Sequence, residues 1–218
     1  MLTELNKLLL SMNSALIGAV APSLRSVSIE LDHEMEQVIF WFYYDGEITD
    51  ELFDLASVAG TEASTCMTRY TSEDQIIRLD YPKPIPFRGK LAYHRKETTY
   101  NHLVSNGSLE KIIAKESSYR VYTLLSAQRA LLGIVVPELR AVAVITPENK
   151  SLPITVSFFY DGEVSPDLLN GTQEMIRRMR DDLFDGFQIK ERVMRLDFPT
   201  RITLQAGDEL VYQRHEPT

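Results

Sequence analysis

Arginines and carboxylates recur at matched positions in the two halves of the sequence, and they form its strongest chemical pattern. Such groups could build two equivalent active sites, but a reaction would also need a nucleophile, a positioned histidine or a metal cluster. Alternatively, they pair across neighbouring strands and cap helix ends, as part of the fold itself, and we favour this structural role. The matched pairs are Arg25/Arg140, Asp45/Asp161, Glu47/Glu163, Arg78/Arg195, Asp80/Asp197, Arg95/Arg214 and Glu97/Glu216.

The remaining reactive residue types indicate no chemistry. His33, His94, His102 and His215 stand at no metal-ligand spacing, and we expect them on the surface. Cys66 is the single cysteine, which excludes an intrachain disulfide and a cysteine-based metal site or redox pair. Glycine-rich phosphate loops are absent. We therefore predict no catalytic residue, no metal and no cofactor.

A tandem duplication explains why these residues recur. The stretch FYYDGEIT at 42–49 returns as FFYDGEVS at 158–165, and the segments around it return in the same order. The offset between matched residues grows from 115 at Gly18 to 119 at Tyr93, so small insertions separate the matched segments. Each copy is of a usual size for a domain. We predict a first repeat at 1–97, a linker at 98–117 with a short helix at 109–115, and a second repeat at 118–218.

Each repeat has the pattern of an α-β-β-α-β-β unit. An apolar stripe at helical spacing over 2–17 precedes two alternating strands, and the turn glycines Gly46 and Gly162 end the second strand. Thr49 and Ser165 then cap a second helix, which two further strands follow. Short connections favour antiparallel sheets with the helices on one face. The predicted fold class is therefore α+β, with two units related by a pseudo-two-fold axis.

Composition limits the partners. The formal net charge is −8, and residues 1–97 carry 9 basic against 15 acidic groups. An acidic protein repels phosphate backbones, so we expect no nucleic acid, whereas a basic protein is a natural partner. The alternative that the charge only maintains solubility stays open. No apolar run approaches the ~20 residues of a membrane span, and no signal peptide is evident, so a cytoplasmic location is expected.

The copies differ where the second strand is expected to face outward. The first repeat has Trp41 and Tyr43 there, and the second has Ser157 and Phe159. Large aromatic residues on an outward face are typical of a contact surface. Acidic residues are expected to surround them: Glu30, Glu34, Glu36, Asp50, Glu51 and Asp54. We interpret this surface as a protein-binding face. The alternative is that the two aromatics pack against the other copy or a second chain, which leaves a homo-oligomer open.

The repeated segments resemble the bacterial immunity proteins of colicin-type and contact-dependent toxin systems. The matching residues lie at 15–27, 42–47, 78–82 and 93–97, with counterparts in the second repeat. The resemblance implies a cytoplasmic, non-enzymatic protein that binds one cognate toxin domain. Such immunity proteins are usually single domains, so the fused pair leaves open whether both copies bind.

Two alternatives belong to other functional classes. A chaperone-like carrier would bind an extended segment of a secreted effector, whereas an immunity protein would bind a folded toxin domain. An enzyme with its site between the copies would have to use Arg78, Asp80, Arg195 and Asp197, held together in a deep cleft.

Overall fold

The first repeat folds as the predicted unit. The computed structural model describes residues 3–86, 88–97, 119–149, 151–183 and 187–216. In the first repeat these residues form α1 (Glu4–Ala15), β1 (Leu24–Asp32), β2 (Gln37–Tyr44), α2 (Asp50–Ser64), β3 (Thr71–Arg78) and β4 (Lys90–His94).

The second repeat has the same order of elements. It contains α3 (Tyr119–Leu131), β5 (Leu139–Ile145), β6 (Ile154–Tyr160), α4 (Pro166–Asp182), β7 (Ile189–Arg195) and β8 (Glu209–Gln213). The α+β class with two similar units is therefore confirmed. The predicted linker at 98–117, with its short helix at 109–115, lies outside the described residues. Within the described ranges, no helix is both long and apolar enough to cross a bilayer.

The start signals of the second helix in each repeat are confirmed. The Thr49 hydroxyl accepts a hydrogen bond from the Leu52 N–H at 3.3 Å, and the Ser165 hydroxyl accepts one from the Leu168 N–H at 3.4 Å. Pro166 occupies the first helical position of α4, where its missing N–H costs nothing. These side chains satisfy backbone donors that the helix itself cannot pair.

The four-stranded sheets are mixed, which corrects one part of the prediction. The strand orders are β3-β2-β1-β4 and β7-β6-β5-β8. β1 pairs antiparallel with β2 and β4, as predicted, but β2 pairs with β3 in parallel, and β6 pairs with β7 in parallel. The antiparallel prediction is wrong for these two pairs because α2 and α4 form crossovers. A helix packed on the sheet returns the chain to the same end, which makes the next strand parallel.

One continuous apolar core lies between the helices and the sheets of both repeats. The period-two pattern of β2 and β6 predicts one inward-facing set of residues, and all of them are buried in this core: Val38, Phe40, Phe42, Tyr44, Ile154, Val156, Phe158 and Tyr160. Alanines line the inner face of α2, which lets the helix approach the sheet closely. Because the core is shared, we expect the two repeats to unfold together.

The outer face of each sheet is also covered, contrary to the expectation that it meets solvent. In the first repeat the segment between β3 and β4 crosses this face. Ile85 in that segment is buried, and a Cβ on Gly89 would lie 2.0 Å from the Ile29 carbonyl oxygen. In the second repeat, Ile202 of the matching segment packs against the cluster formed by Ala141, Ala143 and Phe159. In each repeat the connection between the last two strands therefore buries side chains that strand alternation alone would expose.

The repeats contact each other through reciprocal hydrogen bonds. The Gly18 N–H donates to the Gln213 carbonyl at 2.9 Å, and the matched Gly133 N–H donates to the His94 carbonyl at 2.8 Å. The Asn13 amide donates to the Gln128 side-chain oxygen at 2.9 Å, and these two residues are themselves counterparts. The two glycine contacts are equivalent, because the glycine after the first helix of each repeat bonds to the last strand of the other repeat. Such reciprocal contacts are typical of two-fold arrangements.

Candidate functional site

A buried arginine anchors the repeated charges of the first repeat. The Arg25 side chain is 1% exposed and donates to both carboxylate oxygens of Glu97, at 2.6 Å each. Two further hydrogen bonds reach the carbonyl oxygens of Leu79 and Lys83, at 2.7 and 2.9 Å. Its donors are directed at Glu97 and at the segment that follows β3, so Arg25 ties β1 to that segment.

The second repeat has the same arrangement. Arg140 is equally buried and donates to the two oxygens of Glu216, at 2.6 and 2.7 Å. Its pair differs from that of the first repeat in one respect, because the Glu216 side chain is 17% exposed and that of Glu97 is 3% exposed. The Arg25–Glu97 pair is therefore the better shielded of the two.

In the first repeat, a second arginine connects the Arg25–Glu97 pair to the Asp45-Gly46 turn that follows β2. Arg95 donates to Asp45 at 2.7 Å and to Glu97 at 3.1 Å, while Asp45 accepts the Tyr81 N–H at 3.0 Å. In the second repeat, Arg214 and Asp161 are in contact in the same way, at 2.6 Å. Each of these charges therefore has a partner inside its own repeat.

These contacts lower the pKa of the carboxyl groups that they involve. The hydrogen bond from Arg95 holds the pKa of Asp45 below its usual range, in spite of the opposing effect of burial. Burial would raise the pKa of Glu97, but the hydrogen bonds and charges of Arg25 and Arg95 outweigh it and lower the pKa. Both groups are thus ionised at neutral pH and engaged as acceptors.

The repeated pair of Arg78 and Asp80 holds the turn after the second strand. Asp80 accepts the N–H of Gly46 at 2.9 Å and pairs with Arg78 at 2.9 Å. Gly46 has a φ of 83°, a conformation that glycine adopts without strain. The matched residues of the second repeat repeat the geometry: Asp197 accepts the Gly162 N–H at 2.8 Å and pairs with Arg195 at 2.8 Å, and Gly162 has a φ of 77°.

The four candidates for an enzyme site between the copies are not brought together. Arg78 pairs with Asp80 and Arg195 with Asp197, each pair within its own repeat and largely exposed. An open cleft of about 440 Å³ does lie between the repeats, but none of the four lines it; its charged walls include Asp45, Arg95, Glu97 and Arg214. Among the described residues, no three His, Cys, Asp or Glu side chains are grouped so as to hold a metal ion.

Trp41 lies on the outer face of β2, in contact with a carboxylate and a guanidinium. Its indole N–H donates to Glu30 at 3.1 Å, and the Arg88 guanidinium lies 4.1 Å from the ring centroid. The side chain is half-buried, so one part of the indole remains accessible. A cation over an aromatic face is a favourable contact, and it fixes the orientation of the ring.

Tyr43, expected beside Trp41 as an exposed contact residue, is buried. It is 1% exposed, because the segment between β3 and β4 crosses the sheet above it. Burial raises the pKa of its hydroxyl, against the effect of the neighbouring Arg88. Tyr43 in this structure therefore supports the covering segment and offers no surface to a partner.

The six acidic residues do not form one rim around Trp41, which corrects that expectation. Glu30, Glu34 and Glu36 are exposed near the β1–β2 turn, on the approach to β2. Asp50, Glu51 and Asp54 are exposed on α2, which begins beyond the opposite end of β2 and packs on the other face of the sheet. The eight residues of β2 separate the two groups by roughly 25 Å.

Three residues of interest were not predicted from the sequence. Arg88 lies in the proline-rich segment and packs on Trp41. Met35 at the tip of the β1–β2 turn is 72% exposed. His94 is buried at the contact between the repeats, where burial lowers its pKa, so its expected surface position is wrong. Of these three, only the exposure of Met35 had a signal in the sequence, because Met35 lies in a turn and turns project into solvent.

Comparison with known proteins adds one finding. A family model described as MafI2 immunity protein matches the sequence twice, over residues 5–97 and residues 120–216. The two matched regions correspond to the two structural repeats and cover most of the chain. No curated protein and no solved structure gives a significant match.

Proposed function

The chain belongs to the MafI2 immunity protein family, and on that basis we propose that it neutralises a toxin domain by binding to it, without catalysis. The observation that carries this proposal is the family match over both repeats. The geometry is consistent with it, because the repeated charges other than Glu47 and Glu163 pair with one another inside each repeat.

The surface proposed for toxin binding is the hairpin patch, which consists of Glu30, Glu34, Met35, Glu36 and Trp41. An exposed apolar centre with charges at its edge is the usual composition of a protein interface. Glu34 makes no ion pair with any described residue, so its charge is available to a partner. Glu36 lies 3.3 Å from Arg69, and its charge is therefore partly compensated.

The charge of the patch favours a basic toxin surface. Complementary charges accelerate encounter and select the partner, whereas a half-buried aromatic residue such as Trp41 supplies a larger part of the affinity. The second repeat has Ser157 in place of Trp41, and the exposed part of its turn between β5 and β6 carries one acidic residue, Glu148. We therefore assign the hairpin patch to the first repeat alone.

The acidic residues on α2 are weaker candidates for toxin binding. Glu51 pairs with His215 of the second repeat at 3.1 Å. Asp50 and Glu51 also occupy the first turn of the helix, where a negative charge stabilises the helix dipole. The helix dipole and the His215 contact account for Asp50 and Glu51 without any toxin, and so these two residues are assigned a structural role.

The proposal is tested by isolating the partner and measuring protection. The full chain is used as bait in its native host, and each protein retained is expressed alone and together with the chain. A folded domain that stops growth alone and is harmless beside the chain is the expected result. Recovery of an effector through a short extended segment, with no toxicity to suppress, would contradict toxin neutralisation and favour a carrier.

The hairpin patch is tested with variants of the same chain. Trp41→Ala should weaken toxin binding by about 2 kcal/mol, roughly 30-fold in Kd, as expected for an anchoring aromatic residue. Glu34→Lys with Glu36→Lys should mainly slow association and reduce its dependence on salt. Glu138→Lys with Glu148→Lys is the matched control, since it makes the same charge change on exposed residues of the second repeat. Equal effects of the two double variants would contradict the assignment.

A further inference from the structure

The second repeat contains a cavity at the position that Trp41 occupies in the first. Trp41 on β2 lies opposite Ser28 of β1 and Gln75 of β3. The matched residue on β6 is Ser157, which lies opposite Ala143 and Arg192. A small side chain thus replaces an indole in the same place of the sheet, and an open cavity of about 270 Å³ is found there.

The walls of this cavity combine apolar surface with polar groups. Phe159 and Met194 are apolar, and Arg192 brings a guanidinium that donates to Gln205 at 3.0 Å. Asp208 also lines the cavity. Its Oδ2 accepts the Gln205 N–H at 2.6 Å, whereas its Oδ1 is buried and has no hydrogen bond to any described residue.

The first repeat shows which group suits this place. There the Trp41 indole donates its N–H to a carboxylate, Glu30, and lies against a guanidinium, Arg88. The cavity of the second repeat is likewise lined by a carboxylate and a guanidinium, in Asp208 and Arg192, but its own chain provides no aromatic side chain at position 157.

We propose that the cavity beside Ser157 receives a tryptophan side chain of the bound toxin, which fills the place that the Trp41 indole fills in the first repeat. The inference rests on the proposed function, because the toxin supplies the side chain. The volume of about 270 Å³ is below that of usual small-molecule sites and suits a single side chain. Aromatic anchors that fill pockets are typical of the residues that dominate binding energy.

The first arm of the test uses N-acetyl-tryptophanamide as the probe and the full chain labelled with ¹⁵N. We expect saturable amide shifts centred on residues 157, 192 and 208, with a Kd on the order of 1 mM. Ser157→Trp should abolish these shifts, since it fills the cavity as Trp41 fills its own site. Trp41→Ser should open the matching cavity and move a second set of shifts to the first repeat. Absence of local shifts in the unmodified chain, or their persistence in Ser157→Trp, overturns the proposal.

The second arm uses the toxin identified by its protection assay. Ser157→Trp should weaken toxin binding at least about 10-fold, whereas Ser157→Ala, which leaves the cavity open, should not change it. If Ser157→Trp and Ser157→Ala bind the toxin equally, the insertion is wrong and toxin neutralisation stands. If the unmodified chain protects against no toxin, the proposed function fails, and so does the assignment of the side chain to a toxin. Thermal unfolding of both variants shows whether either substitution disturbs the fold.

Discussion

Replacement of Glu97 by glutamine tests whether the repeated charges stabilise the fold. The substitution keeps the shape of the side chain but leaves the Arg25 guanidinium, 1% exposed, without its countercharge. Removal of one partner of a buried ion pair costs about 3–5 kcal/mol, and because glutamine retains one acceptor we expect about 3 kcal/mol. The matched change Glu216→Gln should cost less, about 2 kcal/mol, because Glu216 is 17% exposed and solvent can reach it.

The pH dependence of this cost has a definite sign. Arg25 and Arg95 overcome the effect of burial and lower the pKa of Glu97 from its usual 4.5. A carboxyl group of this kind stabilises the folded state above its unfolded pKa, and the stabilisation is lost as the pH falls through its folded pKa. The difference between the unmodified chain and Glu97→Gln should therefore be constant from about pH 7 to 5 and shrink below about pH 4.

Urea unfolding followed by the fluorescence of the single tryptophan, Trp41, measures these differences. Arg78→Gln is the control, since Arg78 belongs to an exposed pair that should contribute less than about 1 kcal/mol. A cost for Glu97→Gln no larger than that of Arg78→Gln would refute the structural role of the buried pair. A cost independent of pH down to pH 3 would refute its electrostatic origin.

Two further predictions concern other buried polar groups. Burial raises the pKa of Asp74 from its usual 3.8 to about 6, so this carboxyl group destabilises the fold progressively as the pH rises between these values, and by a constant amount above them. Asp74→Asn should stabilise the chain by about 1 kcal/mol at pH 8 and by nothing at pH 4; we take about a third of the full ~3 kcal/mol because the group is only half-buried. Asn13→Ala should cost about 1–2 kcal/mol, because it leaves the buried Gln128 amide oxygen unpaired at the contact between the repeats. Urea denaturation at both pH values checks the Asp74 prediction. The Asn13 prediction is checked by making Asn13→Ala in a Gln128→Ala background, where the cost of the substitution should largely disappear.

Local signals were sufficient for the elements of the fold. The caps Thr49 and Ser165, the glycines of the two Asp-Gly turns and the alternation of Phe40 and Phe42 all depend on neighbours in the chain. The duplication strengthened each of these signals, because two different sequences encode the same structural unit. Element order, the starts of α2 and α4 and the inner face of the sheet were therefore predicted correctly.

Long-range placement could not be obtained in the same way. Strand alternation places Tyr43 outward, but a segment some forty residues later covers it. Acidic residues on both sides of β2 are close in sequence, yet the strand separates them by about 25 Å. The parallel partner of β2 likewise depends on the path of α2 across the sheet, which hydrophobic periodicity does not encode.

The sequence by itself determined that one α-β-β-α-β-β unit occurs twice, that its charges recur, and that Trp41 has no counterpart in the second copy. Only the tertiary structure decided that the recurring charges pair within each repeat and that a cavity lies where the missing indole would be. The physical reason is that propensity, capping and periodicity act over a few residues. Burial and ion pairing depend instead on segments that are distant in the chain and meet only when the sheet, the helices and the covering segments are packed together.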